Sequence, residues 1–453
     1  MEKLSLVETF EKSNEYQKML PKDRIQYRKK SLYELVTYAR ENSPLYKNLY
    51  SDLNENFTIK DLPVTNRAVI NNSYDLWSTD VDVNEDSLKV FMEENPEGNK
   101  KYLGKYYAVS TSGSYEDAFI CLHDEMSAKI MSVEFMKKCF ARREHFWGFL
   151  FHGSRIASIY SDKGNFWPNV FTNMRKDSFR FRKNKSIMLS AGQATSGLVN
   201  ALNEYKPSML SGFPSALIRM ADEKKVSRLK ISPSFIIADG EPFGDEQRKK
   251  LSEVFKCDVT STYSSAVTGC IAYECREHHL HINDDRIILE AVDEQGNPVR
   301  PGEKSDKILV TNLTNYVQPV IRYEIGDRVI VHDEECLCGN IAPWIEIVGK
   351  NLDQIYFNES GREILIPVKE LESVLGNADY IKRYQILVYP NAHLALRITA
   401  AKKVDKTMAF FKAEKALRSY LKSMGLVAPM ITLEKEDPKP HPLSGKYQTI
   451  IVE

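Results

Sequence analysis

An α/β fold is predicted, with a large N-terminal domain built on doubly wound sheets and a small, mobile α+β C-terminal lid domain. Three observations carry that prediction. Phe235-Ile236-Ile237-Ala238 is a continuous apolar run ending in Asp239-Gly240-Glu241-Pro242, and Lys206 to Ser215 shows the same strand-then-turn design just before it. Strands apolar on both faces belong to parallel sheets, whose carboxyl edge receives ligands, and two such units close together favour a doubly wound sheet. Near the C-terminus, residues 367–375 have a helical pattern, 381–389 and 393–399 alternate around Pro390-Asn391, Asp405 caps a helix running to Gly425, and Met430 to Leu433 forms a last strand. Finally, 453 residues exceed what one core usually holds. The expected division is 1–348 for the large domain, 349–355 for a hinge and 356–453 for the small domain.

Composition narrows the function. Hydrophobic residues make up 42% and charged residues 27%, and 62 Lys plus Arg balance 62 Asp plus Glu. A chain with no net field favours a small-molecule substrate over nucleic acid or an anionic membrane. No stretch reaches the ~18 apolar residues of a membrane span, and no signal-peptide core is visible, so the expectation is a cytoplasmic protein. Seven Cys in such a chain suit thiols or metal ligands better than a disulfide framework.

Along the chain, Ile25, Leu32, Leu35, Val36 and Ala39 recur at helical spacing over 24–41, and Asn42-Ser43-Pro44 closes that helix. Tyr106 to Val109 reads as a strand entering the hydroxyl-rich loop Ser110-Thr111-Ser112-Gly113-Ser114, followed by Tyr115-Glu116-Asp117. From 145 to 190, aromatic residues such as Phe146, Trp147, Phe149, Phe151, Phe166, Trp167 and Phe171 alternate with Arg175, Lys176, Arg180, Arg182 and Lys183. Core aromatics beside a solvated basic loop account for this better than a nucleic-acid platform, given the neutral charge. Cys275, His281, Cys336 and Cys338 form a Cys3His set, the composition of a closed structural zinc site. Unliganded loop cysteines are the alternative, and His278 and His279 compete with His281 for the fourth position. Pro319-Val320-Ile321-Arg322-Tyr323-Glu324-Ile325-Gly326-Asp327-Arg328 is a run of β-formers that delivers a carboxylate to a turn, either as a ligand for hydroxyl groups or as a cap for its own backbone. No G-x-S-x-G elbow appears, so a hydrolase is unsupported.

Taken in order, these motifs resemble the adenylate-forming superfamily of acyl-CoA synthetases, in its phenylacetate-CoA ligase branch, which includes relatives encoded with capsular polysaccharide genes. Ser43-Pro44-Leu45-Tyr46 and Asp61-Leu62-Pro63-Val64-Thr65 are similar to the opening of that branch, and Lys206 to Ser215 is similar to its "K-P-D-x-x-x-G-x-P-S". The resemblance implies ATP-binding roles: Ser110 to Ser114 around the phosphates, Gly240, Glu241 and Pro242 against adenine, Tyr263 stacked on it, and Asp327 on the ribose hydroxyls. Lys350 stands in the family's "G-R-x-D-D-Q-I" hinge in place of Arg, and Leu352 in place of Asp. Lys446, in His441-Pro442-Leu443-Ser444-Gly445-Lys446, is similar to the lysine that bridges the acyl carboxylate and the α-phosphate; an ammonium on a flexible stem suits that task. The branch also has text similar to both cysteine segments and implies a loop-pinning Zn²⁺.

One departure is large. Val267 occupies the place of the Glu that meets Mg²⁺ in the family, and an aliphatic group offers no oxygen to a hard cation. Glu274, Glu116 and Asp117 are the acids available to replace it. The implied activity is ATP-dependent activation of a small carboxylic acid as an acyl-adenylate, with transfer to CoA, an amine, an alcohol or a carrier-protein thiol. The alternative is a zinc-stabilised nucleotide-binding pseudoenzyme or partner protein. A homodimer is the assembly expected.

Overall fold

Local chemistry sets the first helices. Ser5 and Glu8 form a reciprocal capping box that starts the helix Leu6–Lys18, and Pro21 occupies the first turn of Pro21–Asn42, where its missing N–H costs nothing. The second helix buries Leu32, Leu35, Val36 and Ala39. Ile25, expected on that apolar face, is 47% exposed, and Arg24 is buried there instead, donating to the Gln17 carbonyl at 2.9 Å and facing Asp284 at 3.7 Å. Ser43 closes this helix and caps the short helix Pro44–Leu49. Tyr46 and Trp77 then both donate to the Pro319 carbonyl, at 2.8 and 2.7 Å, which fastens the N-terminal segment to the start of the strand Val320–Ile325.

A computed structural model describes residues 5–111, 119–139, 142–160, 165–178, 184–350, 354–359, 362–376, 378–389, 392–426, 429–440 and 447–452. The chain forms two units, one spanning Met1–Val348 and the other Gly349–Pro442 with Tyr447–Glu453.

A nine-stranded sheet organises the first unit. Five of its strands are parallel and lie in the order Ser186–Ser190, Ile156–Tyr160, Met209–Gly212, Phe235–Ala238, Asp258–Ser265. The helices Thr195–Tyr205, Pro214–Lys225 and Asp245–Phe255 connect them and pack Leu198, Leu202, Leu217, Met220 and Leu251 into the same cluster as Leu210, Ile236 and Val259. Gly212 is required by close approach, because a Cβ there would lie 2.8 Å from the Ile159 carbonyl oxygen. Beyond Asp258–Ser265 the sheet continues antiparallel through Gly269–Glu274, Leu280–Ile282 and Trp344–Lys350, with Asp327–His332 at the edge. This extension was not foreseen from sequence; its strands are short and carry polar or Cys residues on one face.

In the same unit, Ile287–Val292, Lys307–Asn312 and Val320–Ile325 make a three-stranded antiparallel sheet, and Tyr107–Ser110 pairs with Ile120–His123. Arg322 adopts a left-handed φ of 48° in the middle of its strand. A bidentate pair with Glu290, at 3.0 and 3.1 Å, and a bond to the Leu62 carbonyl at 2.7 Å hold it there.

The second unit has the helix Val368–Gly376, the strands Ile381–Tyr389 and His393–Ala400, the helix Lys406–Ser423 capped by the Asp405 carboxylate, and the strand Met430–Leu433. The long helix buries Ala409, Ala413, Leu417 and Leu421 at i, i+4 spacing against Ile386, Leu394 and Leu396. Two further features add to the expected pattern: a hairpin of Gln354–Glu359 with Arg362–Pro367, and a final strand Ile450–Val452 parallel to Ile381–Tyr389. Buried Gln385 binds on both sides of the last loop, donating to the Lys439 and Gln448 carbonyls at 2.9 Å each and accepting from the Lys439 N–H at 3.0 Å.

Candidate active site and metal centre

Gly240, Glu241 and Pro242 follow closely on the carboxyl end of the parallel strand Phe235–Ala238. Gly240 turns the chain with a φ of 79°, a conformation L side chains rarely adopt. Glu241 then points back to the start of the helix Pro214–Lys225, accepting from the Ser215 N–H at 2.9 Å and the Ser215 hydroxyl at 3.0 Å. A carboxylate there satisfies an orphan donor and the positive helix end together, so the two strand-turn motifs are locked to each other. Pro242 is exposed beside it. Asp239, not selected from sequence, accepts from the Tyr160 hydroxyl and, at 3.0 Å, from the Thr262 hydroxyl. The A-D-G-E-P text could have flagged it as an extra acid at a ligand-binding edge.

Tyr263 and Asp327 meet across the sheet. The Tyr263 hydroxyl donates to Asp327 Oδ2 at 2.5 Å, and burial, followed by the adjacent carboxylate, raises the phenol's pKa well above its ordinary value. Their strands are four places apart in the sheet order, which in a flat sheet would separate them by roughly 19 Å. The antiparallel part therefore curls, and Ile271, Ile282, Val329 and Ile345 fill the inside of the curl. Asp327 is the first residue of its strand and not part of a longer turn.

Ser110 is buried at the end of its strand, its N–H donating to the Asn165 carbonyl at 2.7 Å. Thr111 closes the base of the following loop, donating its N–H to the Phe119 carbonyl at 2.9 Å and accepting the Phe119 N–H on its hydroxyl at 3.1 Å. Ser112, Gly113 and Ser114 lie outside the described residues, as do Glu116, Asp117, Arg180, Arg182, Lys183, Leu352 and Lys446. Lys350 is the last residue of the strand Trp344–Lys350.

Val267 is buried and packs in the cluster that includes Leu313, Val317 and Ile321, so it supplies no metal ligand. Glu274 does not take its place. Its carboxylate is held by Arg248 at 2.8 and 2.5 Å and by the Ser261 N–H at 2.8 Å, in a pair whose acid side chain is 4% exposed. Despite burial, bonds from His278 and Arg248 hold its pKa below the usual carboxylate value. Among the described residues, neither position fits Mg²⁺.

Beneath this edge a cavity of about 300 Å³ runs between the sheet and the helices Glu125–Cys139 and Trp167–Ser178. The aromatic stretch divides around it. Trp167 and Phe171 line the cavity, and Arg175 lies over the Phe135 and Phe171 rings at 4.7 and 5.8 Å, whereas Trp147 and Phe151 are exposed. At the cavity's other end, Asp258 accepts from Arg142 and lies 2.8 Å from His145 Nε2, and Arg142 also donates to the Cys275 carbonyl at 2.8 Å. Burial alone would raise the Asp258 pKa, but the His145 bond and the Arg142 charge hold it at about 2.

The ligand atoms of Cys275, His281, Cys336 and Cys338 all lie within 4.8 Å of one another. His281 Nδ1 sits 2.7 Å from the Ala342 carbonyl, which fixes the N–H on that nitrogen and leaves Nε2 to face Cys338 Sγ at 3.4 Å. Backbone N–H groups of Glu277 and Asn340 donate to the sulfurs of Cys275 and Cys338 at 3.3 Å each. His279 Nδ1 is 3.3 Å from Cys336 Sγ and its ring stacks on Trp344, while His278 faces Glu274 at 3.6 Å. The donor set fits a tetrahedral Zn²⁺ with no open position.

No protein-family model matches the chain. The fold is that of the adenylate-forming ligases: a structure of 2-hydroxyisobutyryl-CoA ligase in the postadenylation state superimposes with a TM-score of 0.68 at 15% identity, covering 97% of this chain and 91% of the other. Within that class, the sequence is similar to the phenylacetate-coenzyme A ligase branch. A phenylacetate-coenzyme A ligase of Thermus thermophilus is 26% identical over 236 residues, which cover 50% of this chain and 52% of that one. The protein CapK of Staphylococcus aureus is 23% identical over 310 residues, covering 66% of this chain and 62% of that one. Each match thus spans less than two thirds of the relative. Among the described residues, no helix is long and apolar enough to cross a membrane.

Proposed function

We propose that this chain is an AMP-forming acid ligase. The observation that carries this is the Tyr263–Asp327 contact, which fixes a carboxylate against the last of the parallel strands, Asp258–Ser265, whose Thr260, Thr262 and Ser264 line the cavity. Asp327 Oδ2 is occupied by the phenol, and the remaining acceptor capacity of the carboxylate suits the hydroxyls of a ribose. The substrate's carboxylate oxygen attacks the α-phosphorus of ATP, the bond to pyrophosphate breaks, and the acyl-AMP forms. An acceptor nucleophile then attacks the acyl carbon and AMP leaves. Lys446 is assigned to the charge that builds between the carboxylate and the α-phosphate. Residues 349–355 act as a hinge for the region 356–453 in this reading, supported by the φ of 151° at Gly349, a region almost exclusive to glycine.

CoA is the acceptor favoured by the names of the relatives, although another relative, an indoleacetate–lysine synthetase of Pseudomonas savastanoi at 22% identity, is named for an amine. Zn²⁺ on Cys275, His281, Cys336 and Cys338 would hold two loops together and activate nothing, since all four positions are protein ligands.

A second reading rests on Val267 and Glu274. With one buried in the core and the other committed to Arg248, the chain would bind nucleotide without turnover. Acid-dependent exchange of labelled pyrophosphate into ATP separates the two. Exchange with any acid of an aryl and acyl panel supports the ligase, and intact ATP binding with no exchange selects the second reading.

A further inference from the structure

The cavity is lined by aromatic and polar side chains together, and at one turn its polar groups are left without partners among the described residues. Arg286 is buried, and its Nε and Nη1 have no hydrogen-bond partner among the described residues, leaving only an Nη2 contact with Glu134 at 3.5 Å. A guanidinium does not deprotonate to escape burial, and unpaired buried donors are costly. Asn283, at the start of the same turn, donates its Nδ2 to the Cys270 carbonyl at 2.8 Å, which orients the amide. Its Oδ1 is buried and likewise has no partner among the described residues. Both side chains line the cavity, as do the apolar Met131, Phe135, Trp167 and Phe171.

We propose that the acid activated at this site carries a hydroxyl group on its acyl portion, held by Arg286 and Asn283; this rests on the ligase reading above. A hydroxyl both accepts and donates, so it takes an N–H from Arg286 and gives its proton to Asn283 Oδ1. A plain aryl or alkyl acid leaves every one of those groups unpaired. A second carboxylate would suit Arg286 but would set a negative charge against Asn283 Oδ1 and Glu134. The aromatic wall accommodates the ring or chain that bears the hydroxyl.

The test is titration calorimetry of the full chain with phenylacetate, its 2-, 3- and 4-hydroxy derivatives and 4-carboxyphenylacetate, together with butyrate and 3-hydroxybutyrate. At least one hydroxylated acid should bind about 10- to 100-fold more tightly than its parent, the range for a hydrogen bond to a charged group. Arg286→Met and Asn283→Leu should each reduce that advantage to near unity while leaving the parent's affinity little changed. If Arg286→Met fails to fold by circular dichroism, Asn283→Leu and the wild-type series decide. The proposal is overturned if no hydroxylated acid outbinds its parent, if the carboxylated acid binds tightest, or if the advantage survives both substitutions, which would leave a bound water as the turn's partner. Pyrophosphate exchange is run on the same acids. A hydroxyl preference in binding without exchange sinks the ligase reading, and activation of the acid with it, while keeping Arg286 and Asn283 as the hydroxyl-binding pair; exchange that favours the plain acids keeps the ligase reading and overturns this proposal.

Discussion

The Cys3His cluster and the Tyr263–Asp327 pair share one sheet and follow opposite rules. At the cluster, four ligand atoms face one another and each is steered by a backbone group or ring contact. Burial pushes the Cys338 thiol up to about 12, so a cation is what would bring such thiols to the thiolate form at neutral pH. At the pair, one carboxylate is held by one hydroxyl and retains capacity for something that is not protein. In the proposed reading, a site complete in itself serves the fold and a site left incomplete by one or two bonds serves a ligand. Glu274 belongs with the first kind, although its neighbourhood in sequence suggested the second.

The comparison breaks most decisively at the metal. Purified protein should contain about one zinc per chain, and Cys336→Ser with Cys338→Ser should remove it and lower Tm sharply, since structural zinc contributes on the order of 10 kcal/mol in small domains. Metal-free wild type with a silent double substitution would take the cluster out of the first class. Next in size is the Arg248–Glu274 pair. Arg248→Met strands a buried carboxylate and should cost about 3–5 kcal/mol in urea denaturation. Glu274→Gln should also destabilise the protein yet leave the affinity for ATP with Mg²⁺ unchanged; a lost Mg²⁺ dependence would return Glu274 to the ligand-binding kind. Lys446→Ala should slow adenylation ~10²- to 10³-fold, about 2.7 to 4 kcal/mol, with ATP binding retained and acyl transfer from supplied acyl-AMP preserved. Equal loss in both half-reactions would make Lys446 a structural residue.

The smallest effect lies at Asp258, where Arg142 ties the cavity to the Cys275 loop. Its folded pKa of about 2 lies below the ordinary value, so its contribution is present above pH ~4 and is lost as pH falls toward 2, roughly 2 kcal/mol in all. Asp258→Asn should flatten that part of an acid-unfolding curve. An unchanged curve would mean that the Arg142 link carries no stability.

Much of this plan was legible in the chain. The α-β-β-α-β run of the second unit was readable because each element has its own cap or alternation, as with Asp405 before Lys406–Ser423. Of the five parallel strands, Met209–Gly212 and Phe235–Ala238 were readable because their runs end in Gly and Pro turns, whereas Ile156–Tyr160 and Ser186–Ser190 were hidden in the aromatic and basic stretch. What escaped depended on distance in three dimensions. The curl that brings Tyr263 to Asp327 is a property of five strands together, and Ile450–Val452 is too short to signal a strand by periodicity. The partners of Glu241 and Glu274, Ser215 and Arg248, are each 26 residues away, beyond any local pattern. Arg286 and Asn283 looked like ordinary polar loop residues, and only their burial beside a cavity sets them apart.

At Gln385 a single buried amide carries three bonds between the strand Ile381–Tyr389 and the last stretch of the chain, two accepted by the Lys439 and Gln448 carbonyls and one given by the Lys439 N–H. Gln385→Leu would remove all three at once, so the final strand Ile450–Val452 would lose its side-chain anchor while keeping its ladder to Ile381–Tyr389.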